Sequence, residues 1–213
     1  MGVLALLLFS RPVEAEVYVA GQIGVHKPND ASNPEFSAAG VTVGGSDLVL
    51  QSSLMYGAKV GYYFDRMKLG DFTLGVETEV FNATPHFKQQ EWIGLSSGTL
   101  PGLTNRVLTW APLVALVRYQ AWAFEPYVGV GLGVFFSHLS ASGFSSSSID
   151  VGLNTQIGVR YRVNQNLSLF TEWKYNYADI SHTNISSIPG IGAVDLSYNY
   201  EAQIVAGGIG YHF

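Results

Sequence analysis

Eight stretches of this chain alternate apolar and polar residues with a period of two, and the connections between them alternate between long and short. The candidate strands are Glu16–His26, Ser53–Asp65, Phe72–Thr84, Asn105–Tyr119, Pro126–His138, Ile149–Arg162, Leu167–Ala178 and Tyr198–Phe213. No stretch of any length carries the periodicity of a helix. The connections after the first, third, fifth and seventh stretches (Lys27–Ser52, Pro85–Thr104, Leu139–Ser148, Asp179–Ser197) are long or rich in Ser, Gly and Asn. The other three (Arg66–Asp71, Gln120–Glu125, Val163–Asn166) are short. An even strand number, with short turns at one end and long loops at the other, predicts an all-β, eight-stranded antiparallel up-and-down transmembrane barrel. A soluble sandwich would not segregate its loops in this way.

The two faces of each strand decide where the apolar side chains go. Val151, Leu153, Thr155, Ile157, Val159 and Tyr161 share one parity, against Gly152, Asn154, Gln156, Gly158, Arg160 and Arg162 on the other. A lipocalin-like barrel would turn the first set inward; a membrane barrel turns it out to lipid and keeps the charges in the lumen. Lys59, Glu77, Glu79, Glu172 and Lys174 then fall in one layer, with Arg118 and Arg160 nearer the short-turn end. A turn centred on residue 68 puts Lys59 directly opposite Glu77. Outside a soluble barrel such pairs are worth about 0–1 kcal/mol; in a narrow lumen they neutralise one another. The aromatics also choose the membrane reading. Tyr62, Phe64, Phe72, Tyr119, Tyr161, Tyr211 and Phe213 gather at the short-turn end, and Phe136, Trp173, Tyr175 and Tyr177 lie toward the long loops, as two interfacial girdles.

Val3–Phe9 has the size of the apolar core of a secretory signal, and Val13-Glu14-Ala15 reads as a cleavage site. The domain division expected is a signal peptide over 1–15 and a barrel over 16–213. Met1-Gly2 lacks the basic residue that should open such a signal, which fits a start further upstream. The 213 residues contain no cysteine, which excludes a disulfide scaffold, thiolate zinc and thiol catalysis. A net charge of −5 gives nucleic acid no electrostatic footprint.

The segments Pro126–Val134, Gly158-Val159-Arg160-Tyr161-Arg162 and Leu169–Tyr175 resemble the small eight-stranded outer-membrane barrels, the group of outer membrane protein A and OmpX. The resemblance covers essentially the whole chain after residue 15. It implies the outer membrane of a Gram-negative cell envelope, with outer-membrane lipid, lipopolysaccharide and the assembly machinery as partners, and a monomer. The ending is similar to the family's assembly signal, which would be carried by Val205, Ile209, Tyr211 and Phe213. Gly129, Gly131 and Gly133 have a local reading too: an inward face without side chains leaves room for long charged neighbours.

The family is functionally mixed, so activity has to be argued from sites. The set Lys59, Glu77, Glu79, Arg118, Arg160, Glu172 and Lys174 reads either as a selectivity constriction or as a salt-bridged plug. Eight strands enclose a space that side chains fill, which favours the plug over a narrow, low-conductance pore. Among five histidines, His182 stands at the outer rim with Ser181, Thr183 and Asp179 beside it. Lipid A deacylases carry a rim His and Ser, but their His-x-Ser-Asn order is absent, so a lipid-modifying hydrolase at His182 is the alternative to a structural or surface-interaction protein. The scattered histidines offer no metal-ligand spacing, and no cofactor is expected. The long loops read as either an adhesive surface or an inert rim.

Overall fold

The computed structural model describes residues 15–38, 40–44, 47, 49–87, 90–92, 98–100, 103–120, 123–141, 144–188 and 192–213. The expected signal segment, apart from Ala15, lies outside them. Among the described residues there are thirteen strands and no helix: β1 (Ala15–Pro28), β2 (Ser32–Ala38), β3 (Val41–Gly44), β4 (Ser53–Leu69), β5 (Phe72–Ala83), β6 (His86–Phe87), β7 (Gln90–Trp92), β8 (Gly98–Leu100), β9 (Leu103–Tyr119), β10 (Phe124–Ala141), β11 (Phe144–Arg162), β12 (Leu167–Ile188) and β13 (Gly192–His212). Eight of them close a ring in the order β1, β4, β5, β9, β10, β11, β12, β13, and β13 pairs back onto β1. Every pairing is antiparallel. The eight ring strands coincide with the eight alternating stretches of the sequence. Closure removes the free edges that an open sheet would expose.

The outside of the barrel is apolar across its middle. Ile23, Leu54, Leu113, Leu132, Val151, Ile157, Val205 and Ile209 all project from it, exposed. At the short-turn end, ring pairs Tyr62–Phe64, Phe72–Tyr119, Phe124–Tyr161 and Tyr211–Phe213 form one girdle; Trp173 stacks on Tyr175 toward the other. The first turn is tight: Leu69 pairs with Phe72 across Gly70-Asp71, and Gly70 supplies the positive φ of 64° that such a turn requires.

Beyond this band the polarity inverts. Asp179, Ser181, Thr183, Ser145 and Ser147 are exposed on the outside, while Ile180, Leu139, Val194 and Leu196 are buried inside with Phe36, Leu50 and Phe87. That is the pattern of a barrel standing in water, where apolar groups must turn inward. It explains why the expected loops Leu139–Ser148 and Asp179–Ser197 are largely strand: their alternation continues with exchanged faces. Lys27–Ser52 likewise contains β2 and β3, and β2 pairs with β13 above the point where β1 leaves it.

One ring strand changes parity. On β9, Val107, Thr109 and Ala111 face in, and then Val114, Leu116 and Arg118 do. The ladder skips Pro112 on both sides: Glu77 pairs with Val114 and Glu79 with Ala111, while Leu132 pairs with Leu113 and Val134 with Trp110. Proline cannot donate to a ladder, so the strand bulges there. Thr78 bonds the Ala111 carbonyl at 3.1 Å and accepts the Trp110 indole N–H at 3.3 Å.

Candidate functional site

Period-two alternation delivers one polar side chain per two residues to the lumen from each ring strand, and they assemble into stacked layers. The middle layer contains Lys59 from β4, Glu77 and Glu79 from β5, and Glu172 and Lys174 from β12, all at most 2% exposed. Lys59 Nζ lies 2.8 Å from Glu172, 3.2 Å from Glu77 and 3.8 Å from Glu79. Lys174 contacts Glu79 and lies 3.1 Å from Glu172. Amides fill the gaps: Gln156 donates to Glu77 at 2.9 Å, Asn154 to Glu79 at 2.8 Å and Gln22 to Glu79 at 3.1 Å.

Turn counting predicts Lys59 opposite Glu77; the ladder instead pairs Lys59 with Glu79, and Gly61 with Glu77. The hairpin turns at Gly70-Asp71, not at residue 68, and the register then shifts between Tyr63 and Lys68. Both glutamates lie on the same face, so Lys59 still reaches Glu77 diagonally.

Arg160 and Arg118 belong to different layers. Arg160 has no carboxylate within ion-pair distance among the described residues. Its guanidinium lies 4.2 Å from the ring centre of Tyr18 and 5.5 Å from that of Tyr127. Tyr18 donates its hydroxyl to Glu77, and Tyr127 donates to Glu172 at 2.8 Å. The phenols thus link the third cation to the middle layer, giving Lys59, Lys174 and Arg160 against Glu77, Glu79 and Glu172. Nearer the short-turn end, Arg118 pairs with Glu16 at 2.8 Å and Glu125 at 3.1 Å, and Arg162 contacts Glu16 and lies 3.2 Å from Glu125. His212 Nδ1 is 2.6 Å from Glu16. Two arginines face two glutamates there. Sequence reasoning missed Glu16, Glu125 and His212, because all three sit at strand ends, where parity is least constrained.

The inward glycines have a partner rule that was not legible beforehand. Tyr18 pairs across the ladder with Gly61, Tyr63 with Gly75, Tyr127 with Gly158 and Phe170 with Gly208. In each case the ring lies where a glycine Cβ would stand, at 2.3 to 2.6 Å. Glycine lets the ring lie flat against the wall and carry its hydroxyl or its π face to the charges. Gly129 does the same for Leu116 and Gln156.

His182 faces inward, wholly buried, while Ser181 and Thr183 face out. Its Nε2 is 3.2 Å from the hydroxyl of Ser137, a residue of β10 that sequence reasoning did not single out. Asp179 is on the outer surface, bonded to Tyr177 at 3.1 Å. The candidate hydrolase residues are therefore not brought together. At the other end, Val205, Ile209, Tyr211 and Phe213 project outward as one exposed row.

OprG from Pseudomonas aeruginosa is similar in structure, with a TM-score of 0.64 at 16% identity over 93% of this chain and 95% of that one. The outer membrane protease OmpT from Escherichia coli gives 0.50 at 10% identity over 98% and 100% of the two chains. Neisserial surface protein A gives 0.49 at 17% over 92% and 97%. No curated protein matches the sequence. A family model described as the outer membrane protein beta-barrel domain matches residues 1–213. With its apolar band, its closed ring and that match over its whole length, the chain belongs to the outer membrane protein beta-barrel domain family and is a protein of the bacterial outer membrane.

Proposed function

We propose that this protein is a membrane-anchored structural or surface-interaction protein whose lumen is closed by its own side chains. The observation that carries the reading is the charge balance of the lumen. Three cations meet three carboxylates in the middle layer and two arginines meet two glutamates below, nearly all of them buried. A passage for ions needs unbalanced or hydrated charge along its wall; in these two layers positive and negative charges are equal in number. The polar outer surface of the strand extensions, carrying Ser145, Ser147, Asp179, Ser181 and Thr183, then becomes the part offered to partners outside the cell.

Planar-bilayer recording tests the closure. The expected record is silence or small, infrequent openings, and steady conductance of porin size overturns the reading. The alternative, a lipid A hydrolase at His182, has no support from the geometry. The imidazole points into the lumen, and an acyl chain of the outer leaflet meets the opposite face of β12. Mass spectra of lipid A from cells with and without the protein should be identical. An acyl difference that His182→Ala abolishes would reverse this ranking.

A further inference from the structure

A third polar cluster lies in the upper lumen, between the apolar interior of the extension and the charged layers, and its hydrogen bonds have a direction. Asn105 Nδ2 donates to the Tyr198 hydroxyl at 3.1 Å, so its Oδ1 is left to accept from the Ser137 hydroxyl at 2.8 Å. With the Ser137 proton committed, the 3.2 Å contact to His182 is filled by the Nε2 proton of the ring. Burial holds the imidazole below its ordinary pKa, so the ring is neutral and Nδ1 presents a bare lone pair. That atom is buried without a partner. So are Oδ2 of Asp150 and Oγ of Ser148, which lie on the inward face of β11 next to it.

These groups come from the adjoining strands β11 and β12. Ser148 pairs with Ser137 across the ladder, and the Asp150 carboxylate acts electrostatically on both His182 and Tyr198. Among the described residues no Lys or Arg lies within ion-pair distance of Asp150. The charged layers below are balanced, so among the described residues this carboxylate is left over in the lumen. Rings line the same cluster: Phe135 is the ladder partner of Asp150, Tyr200 packs on Phe135 at 5.9 Å, and Tyr198 stacks on His182 at 6.3 Å. Inward positions Ser148 and Asp150 are part-exposed, whereas Asn154, Gln156 and Arg160 below them are buried, so solvent reaches this part of the wall.

We propose that the upper lumen binds a small primary ammonium ion, its N–H groups donated to Asp150 Oδ2 and His182 Nδ1 and its carbon chain lying among Phe135, Tyr198 and Tyr200. Two unpartnered acceptors on adjoining strands, one of them anionic, call for a donor that is also a cation. Aromatic rings add the attraction of their π faces for such a charge. A metal ion is a poorer fit, since one carboxylate, one imidazole and a hydroxyl fall short of a full ligand set.

The test is titration of the full-length barrel in lipid nanodiscs with n-propylammonium, followed by the ¹⁵N resonance of His182 Nδ1 at neutral pH. The expected result is a saturable shift in the millimolar range, with tetramethylammonium, which has no N–H, and propionate both producing none. Asp150→Asn should weaken binding at least tenfold, and Ser181→Ala, on the outer face, should leave it unchanged. Each variant is checked for heat-shifted gel mobility. His182→Asn serves as a second variant, and the comparison of the two cations decides the matter in the unmodified chain alone. No saturation, an equal response to tetramethylammonium, or unaltered binding by folded Asp150→Asn overturns the proposal. So does a His182 ring protonated on both nitrogens without ligand, because a proton would then already satisfy the carboxylate.

Discussion

Lys59→Met should destabilise the folded barrel by about 3–5 kcal/mol, the usual cost of leaving a buried charge without its partner. Lys59 is in contact with Glu172 and Glu77 and within 3.8 Å of Glu79, and it is 2% exposed. Its removal leaves three carboxylates facing Lys174 and the ring-bound Arg160, in a layer where water has little access. Glu172→Gln alone should cost less than Lys59→Met, because the amide oxygen still accepts from Tyr127. The double variant restores a two-against-two balance and should recover most of the loss. Urea midpoints in bilayers for the four members of this cycle give the coupling directly. A coupling near zero means that Lys59 and Glu172 do not meet, and the arrangement of the middle layer would have to be redrawn.

The same layer shows what could be read from the sequence. Parity alone put Lys59, Glu77, Glu79, Glu172 and Lys174 inside, because in a strand the side-chain period is two and an inward assignment survives any even slip. The slip itself was illegible. Register depends on where the hairpin turns and where the ladder breaks: the turn at Gly70-Asp71 and the irregularity between Tyr63 and Lys68 together place Lys59 opposite Glu79 rather than Glu77, without any mark in the composition. Pro112 was a mark of the other kind: a proline within an alternating stretch signals a bulge, and on β9 it moves the inward face from Ala111 to Val114. The strand extensions were hidden by their inverted polarity. Ile180, Leu139 and Leu196 sit at alternate positions, but the face that is polar in the membrane band becomes the apolar one above it, so a single inside–outside rule ends at the band. His182 is legible as a candidate and its surroundings are not, since Ser137 and Asp150 come from β10 and β11 and only the register and curvature of the sheet bring them near.

Gly158→Val should be nearly as damaging as the loss of Lys59, even though it removes no interaction by itself. A Cβ at residue 158 would lie 2.5 Å from Tyr127 Cζ, 2.6 Å from its hydroxyl and 2.8 Å from the Thr171 carbonyl oxygen. The backbone oxygen belongs to the ladder and yields little, so the ring has to leave. Overpacking of this kind costs about 1–3 kcal/mol. A displaced Tyr127 also withdraws its hydrogen bond from Glu172 and its face from Arg160, which adds roughly 1–3 kcal/mol for a charged acceptor left short. The comparison that isolates the cause is Gly21→Val: Gly21 lies on the outer face of β1 and nothing stands within 4 Å of its Cβ position. That substitution adds β-branched apolar surface toward lipid and should be neutral or slightly stabilising. Removing the ring as well, in Gly158→Val with Tyr127→Ala, relieves the clash with the ring but neither the contact with the Thr171 carbonyl oxygen nor the missing hydrogen bond, so it should recover only part of the loss. Equal urea midpoints for Gly158→Val and Gly21→Val would mean that the aromatic rings do not lie on the glycines, and the pairing of Tyr18, Tyr63 and Phe170 with Gly61, Gly75 and Gly208 would fall with it.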